Sequence, residues 1–260
     1  EQGDAEAWRA FLESYNPLAF RYLEHYLPPA ASRRAEAWSA ALRELSDEQC
    51  ARLKTFDHQA EREFLVDLRD FLLERGAPSL DASADASDAP RPTVESLKAL
   101  LNGLPLAHQE VLFLKLAGYS DATIEGMMRA TPTVAAAGLE RLQADYGVLL
   151  RHERDACLWP SAWAEFLRET RSQRIEDCPQ PRVFVRVHDG QTTWYEKDPA
   201  EQHVAGCLHC LERWAALREA GYWRRVIPPA NAGEVAEFLS ALPIQAAPPA
   251  RKSLLQKLFG

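Results

Sequence analysis

The sequence has little of several things, and each shortage excludes something. It holds five cysteines and two methionines in 260 residues, and no apolar run approaches a membrane-crossing length. A helix needs about 20 mostly apolar residues to cross a bilayer, so no membrane partner is expected. Five cysteines cannot build a disulfide framework for a chain of this length. Basic charge is short too: 30 Lys and Arg face 38 Asp and Glu, a net charge of -8, which works against non-specific attraction to nucleic acid. There is no glycine-rich loop of the kind that cradles phosphate. Ser, His and Asp occur at no spacing that names a mechanism, so the chain does not read as an enzyme. The opening Glu1 to Ala10 is polar with three acids, unlike a secretory leader, and a cytoplasmic location is expected.

What is present is helical period. Hydrophobic residues make up 47% of the chain, enough for two or three cores. Trp8, Phe11, Leu12 and Tyr15 mark one helical face, and Leu18, Tyr22, Leu23 and Tyr26 another, with a break expected at Asn16-Pro17. Pro28-Pro29 stops this stretch. Trp38, Leu42 and Leu45, then Phe64, Leu68, Phe71 and Leu72, make two further stripes. Residues 77–92 (APSLDASADASDAPRP) are too poor in large apolar side chains to order themselves, and read as a flexible linker. The expected fold class is mainly α. The expected parts are a helical domain over 1–76, the linker, a second helical domain over 93–150, a third domain over 151–242 and a flexible tail over 243–260 with a basic amphipathic end.

The second domain has an internal order. Thr93 and Ser96 are candidate N-caps. A leucine stripe runs from Leu97 to Leu104, followed by an apolar helix from His108 to Leu116. Gly118-Tyr119-Ser120-Asp121 makes a turn, Ala122 to Arg129 a short helix, Ala130-Thr131-Pro132 a second turn, and Thr133 to Tyr146 a closing helix. Short helices joined by tight turns are the helix-turn-helix pattern.

The third domain opens with a helical, aromatic stretch from Arg151 to Asp177. Arg182 to Val187 (RVFVRV) then alternates polar and β-branched residues, Asp189-Gly190 follows, and TTWY ends the run at Tyr195. Strand, Asp-Gly turn and strand predict a β-hairpin. Beyond it, His203, Cys207 and Cys210 form H-x3-C-x2-C, offsets that share one face of a helix. Zinc takes four N or S ligands in a tetrahedron, so a fourth must come from elsewhere. Cys178 is the best candidate, with His188, Cys157 and His209 behind it. The alternatives are a pair of buried free thiols and a reversible Cys207/Cys210 redox pair.

Together these segments resemble a known family. Asp4 to Leu27, Phe56 to Arg75 and Leu104 to Leu142 follow the order of region 2 and region 4 of sigma factors of the extracytoplasmic-function group. Cys178 with HVAGCLHC is similar to the zinc-binding domain of anti-sigma factors, whose fourth ligand stands about 25 residues upstream. The resemblance implies a sigma-like transcription regulator with a fused zinc domain. Its partner would be RNA polymerase core or a regulatory protein. It sets the DNA-facing positions near Thr131, Thr133, Ala136 and Arg141. Yet Ala136 and Gly138 offer no hydrogen bond to a base, and Glu140 would repel phosphate. From Val94 to Leu150 four basic residues face six acids, the wrong sign for a DNA reader. Promoter binding is therefore expected to be weak. The alternative is a sigma-like scaffold repurposed as a protein-interaction module. The aromatic set Trp159, Trp163, Trp194, Trp214, Tyr222 and Trp223 exceeds what a small zinc domain needs, so part of it is expected to pack against the first two domains, or against a partner that competes for the same face.

Overall fold

The computed structural model describes residues 5–27, 31–47, 50–56, 60–76, 93–130, 137, 140, 144, 155–157, 159–240 and 242. Among these the regular structure is all helical, in twelve helices with no strand. The segments 77–92 and 243–260, and the positions Thr131, Thr133, Ala136, Gly138 and Arg141, lie outside the described residues. Of the expected closing helix, Ala137, Glu140 and Ala144 are helical and exposed.

Helix α1 (Ala5–Tyr26) runs straight through the expected break at Asn16-Pro17. Proline has no N–H, so the Glu13 carbonyl loses its helical donor. The Ala230 amide donates to that carbonyl instead, at 2.9 Å. Asn16 is buried and accepts a hydrogen bond from Trp38 Nε1. Tertiary partners thus satisfy the groups that would have ended the helix. Helix α2 (Ala31–Ser46) buries Trp38, Leu42 and Leu45 against this side. A single turn, α3 (Ala51–Lys54), leads to α4 (Glu61–Gly76). Helix α4 is covered on both sides, which is why it buries Arg69 and Asp70 as well as Phe64, Leu68 and Phe71.

In the next segment α5 (Val94–Leu101) begins with a reciprocal capping box between Thr93 and Ser96. Helices α6 (Leu106–Leu116) and α7 (Asp121–Met128) follow. The turn between them needs Gly118: its φ is 95°, and an added Cβ would lie 2.1 Å from the Ala156 carbonyl oxygen. Ser120 caps α7, and Asp155 supports the cap by accepting from the Ser120 amide at 2.8 Å and the Thr123 hydroxyl at 2.7 Å. Arg21 of α1 also donates to Asp155, at 3.1 Å.

The last segment carries α8 (Pro160–Ser172), α9 (Pro181–His188), α10 (Trp194–Gly206), α11 (Leu208–Val226) and α12 (Ala232–Ser240). The expected β-hairpin over Arg182 to Tyr195 is absent: RVFVRV is α9, and Trp194 and Tyr195 open α10. Pro181 occupies the first turn of α9, where a missing N–H costs nothing. Phe184, Val185 and Val187 are the residues it buries. Asp189-Gly190 closes the helix rather than a hairpin. Gly190 is left-handed at φ 67°, its amide donates to Val187, and Gln191 donates to Arg186. That pair of bonds is a Schellman stop.

Helix α11 is the centre of the molecule. It packs against α4, α6, α7, α8, α9 and α10, while α12 lies along α1. Buried residues from Trp8 to Leu242 form one continuous apolar core drawn from all three segments. Trp163 meets Phe113 at 5.4 Å between ring centroids, and Trp223 takes the Arg21 guanidinium on its face at 4.2 Å. Trp194 stays 69% exposed, so the aromatic excess divides between inner contacts and surface.

Candidate metal centre

Three short pieces of backbone carry the four donors. Cys178 follows α8 in a turn where its sulfur accepts the Ile175 amide at 3.4 Å. His203 is in the last turn of α10, and Cys210 in the first turn of α11. Cys207 lies between them with φ -128° and ψ 109°, ending one helix and starting the next. The motif is therefore not on one continuous helix, as its spacing suggested, but folded around a break. Gly206, a weak helix former, precedes that break.

The break brings the donors together. One ligand atom each from Cys178, His203, Cys207 and Cys210 lies within 4.8 Å of the others. The Cys178 and Cys207 sulfurs are 3.9 Å apart, too far for a disulfide. A tetrahedral zinc with sulfur at about 2.3 Å sets sulfur ligands about 3.8 Å apart. His203 Nε2 is buried and has no hydrogen-bond partner among the described residues. The set can hold a metal ion, and its chemistry suits zinc. Hydrogen bonds from Cys210, and then from His203 and Cys178, outweigh burial and hold the Cys207 pKa down to about 4. The same pairing with Cys207 pushes Cys210 up, so the two thiols share one negative charge as a pair. The position at the start of α11 favours that charge.

The other sequence candidates for the fourth donor lie elsewhere. The His188 ring stands edge-on to Trp214 at 4.2 Å. The Cys157 amide donates to the His25 carbonyl. His209 lies by the Thr170 backbone, and its pKa is lowered by burial.

One turn beyond the metal ligands, α11 carries a feature that periodicity did not expose. Glu212 and Glu219 are fully buried, in register with Ala215 and Ala216. Arg69 of α4 reaches both, bonding Glu219 at 3.0 Å and pairing with Glu212. Tyr26 of α1 donates to Glu219 at 3.2 Å, and Tyr119, from the turn after α6, also donates to it. One carboxylate thus joins all three segments. Burial raises the Glu219 pKa, and Arg69 with the two tyrosines only partly offsets this. Burial also pushes Asp70 upward, but Arg171, Arg69 and Arg213 outweigh it and leave its carboxyl below the ordinary range. The sequence signal was two acids seven residues apart on an otherwise apolar face.

Comparison with protein-family models, curated proteins and solved structures finds no match to this chain.

Proposed function

We propose that this chain is a sigma-like transcription regulator whose zinc-bearing segment clasps its two sigma-like segments. The observation that carries the reading is the Glu219 joint, where α1, α4 and the turn after α6 meet one carboxylate of α11. Helix α11 starts at the candidate metal centre, so the same element holds metal and clasp. Four protein donors fill a zinc tetrahedron and leave no place for a substrate water, which favours a structural rather than a catalytic metal. Bound there, the ion would tie the turn after α8 and the end of α10 to the start of α11.

In this reading Cys178, His203, Cys207 and Cys210 hold zinc, and the partner of the opened form is RNA polymerase core. Affinity purification of the full chain and of Cys207→Ser from the native host tests it. Polymerase subunits enriched with Cys207→Ser over wild type are the expected result. A different stable partner with both forms would instead favour the interaction module. That second reading draws on Glu140, exposed on its helix and unfavourable to phosphate.

A further inference from the structure

The start of α4 and the ends of α7 and α9 pack around the last turns of α11, and this junction gathers positive charge. Arg62 comes from α4, Arg129 follows α7, and Arg218 and Arg225 lie on α11. The Arg62 side chain lies against Gly221, where an added Cβ would stand 3.0 Å from its Cδ. Arg225 donates to the Gly221 carbonyl at 3.0 Å and to the Gly126 carbonyl of α7 at 3.2 Å. Arg218 covers the Trp214 ring at 5.7 Å, the same ring that His188 meets edge-on. Asp189 pairs with Arg62 and Glu110 pairs with Arg218. Arg129 and Arg225 make no ion pair among the described residues, and Glu125, four residues before Arg129, pairs with neither. Two guanidinium groups are thus left without a carboxylate.

A second observation points to a missing acceptor. Both ring nitrogens of His188 are shut off from solvent, and neither has a hydrogen-bond partner among the described residues. In the neutral ring one nitrogen carries a proton and needs an acceptor, whereas guanidinium groups offer only donors. Burial, and then the charges of Arg218, Arg62 and Arg129, hold the His188 pKa well below the ordinary imidazole value, so the ring is neutral. Burial, and then Arg129 and Arg62, also lower the pKa of Arg225. Cations therefore crowd one another around an imidazole that lacks an acceptor. An oxyanion with two charges would supply the acceptor and the missing charge together.

We propose that the junction of α4, α7, α9 and α11 binds a small tetrahedral dianion, phosphate or the phosphoryl group of a small monoester, held by Arg129 and Arg225 with His188 donating to one of its oxygens. The four helices come from all three segments, so the bound ion would strengthen their closed packing. The site goes beyond the transcription reading and does not depend on it.

Isothermal titration calorimetry of the full chain with sodium phosphate, at constant ionic strength and near-neutral pH, is the test. Saturable binding at a single site is the expected result. Arg129→Asn removes the charge and suits the left-handed backbone at φ 51°, and should weaken binding about tenfold or more. Arg225→Gln keeps a donor for the two carbonyls and should weaken it similarly. Arg168→Gln, exposed on α8, should bind as wild type. Phosphate should also shift the His188 ring-nitrogen signal in nitrogen-15 NMR. Methyl phosphate separates the two sources: weaker competition by the ester assigns the free ion, and equal or stronger competition assigns a monoester. No saturable phosphate binding, equal behaviour of Arg129→Asn and Arg168→Gln, or a His188 signal that does not move would each overturn the proposal.

Discussion

His25 is 2% exposed, lies flat on Tyr119 at 4.0 Å, and donates from Nε2 to the Ala117 carbonyl at 2.8 Å. Burial lowers its pKa from 6.5 to about 4. Between those values the unfolded chain binds the proton and the folded chain does not. This contribution is therefore complete above pH 6.5 and is lost as pH falls toward 4, by roughly 3 kcal/mol at the bottom of the window. Glu219 has the opposite sign: its raised pKa means stability falls as pH rises from the ordinary Glu value through the raised one. Urea unfolding of wild type and His25→Phe between pH 7.5 and 4.5 separates the two effects. Phenylalanine keeps the stack but not the titration, so the two stability curves should converge on acidification. Curves that stay parallel would remove His25 from the account. Glu219→Ala should cost about 3 kcal/mol at pH 7, because it leaves two tyrosine hydroxyls in the core without their acceptor and takes one of three carboxylates from Arg69, which keeps Asp70 and Glu212. A loss under 1 kcal/mol would mean the joint is not tight.

At the scale of elements, the break at Cys207 and the stop at Gly190 define how α9, α10 and α11 turn upon one another. Zinc would hold the first of these turns. Metal analysis of protein purified without added zinc should find about one equivalent per chain, and Cys207→Ser should lose it. The variant should also gain hydrogen exchange in α10 and the start of α11; unchanged exchange and melting without metal would contradict a structural ion. The two glycine turns should respond differently. Gly190→Ala meets open space and suffers only its left-handed backbone, about 1 kcal/mol. Gly118→Ala adds a collision with the Ala156 backbone and should cost several times as much in the same unfolding assay. Helix existence was readable from the 3.6-residue stripes of α1, α2, α4 and α6. The misread segment was RVFVRV, since six residues fit a period of two as well as a helical turn. Pro181 and the Asp-Gly stop were helix punctuation, legible only once the apolar side had a surface to face.

For the whole molecule, the prediction concerns closure. Small-angle scattering of the zinc-loaded chain should give a compact particle, and chelation should expand it by releasing the start of α11. A particle extended from the outset would contradict the clasp. The full chain should also bind duplex promoter fragments weakly by fluorescence anisotropy at physiological salt. Six acids against four bases in Val94 to Leu150 supply little counterion release. Sub-micromolar, sequence-selective binding would defeat that expectation. No described helix is long and apolar enough to cross a membrane.

The sequence by itself determined the helical class, the stripes that become core, the cap at Thr93 and the four donors that could share a metal. These are local properties, set by periodicity, by capping chemistry and by the ligand habits of sulfur and imidazole. The tertiary structure alone decided that α1 continues past Pro17, because its lost hydrogen bond is replaced by Ala230 from the other end of the chain. It alone decided that Glu219 is a joint, since a carboxylate enters a core only where distant partners supply its hydrogen bonds. The partners here, Tyr26, Arg69 and Tyr119, are 193, 150 and 100 residues away, beyond the reach of any local pattern.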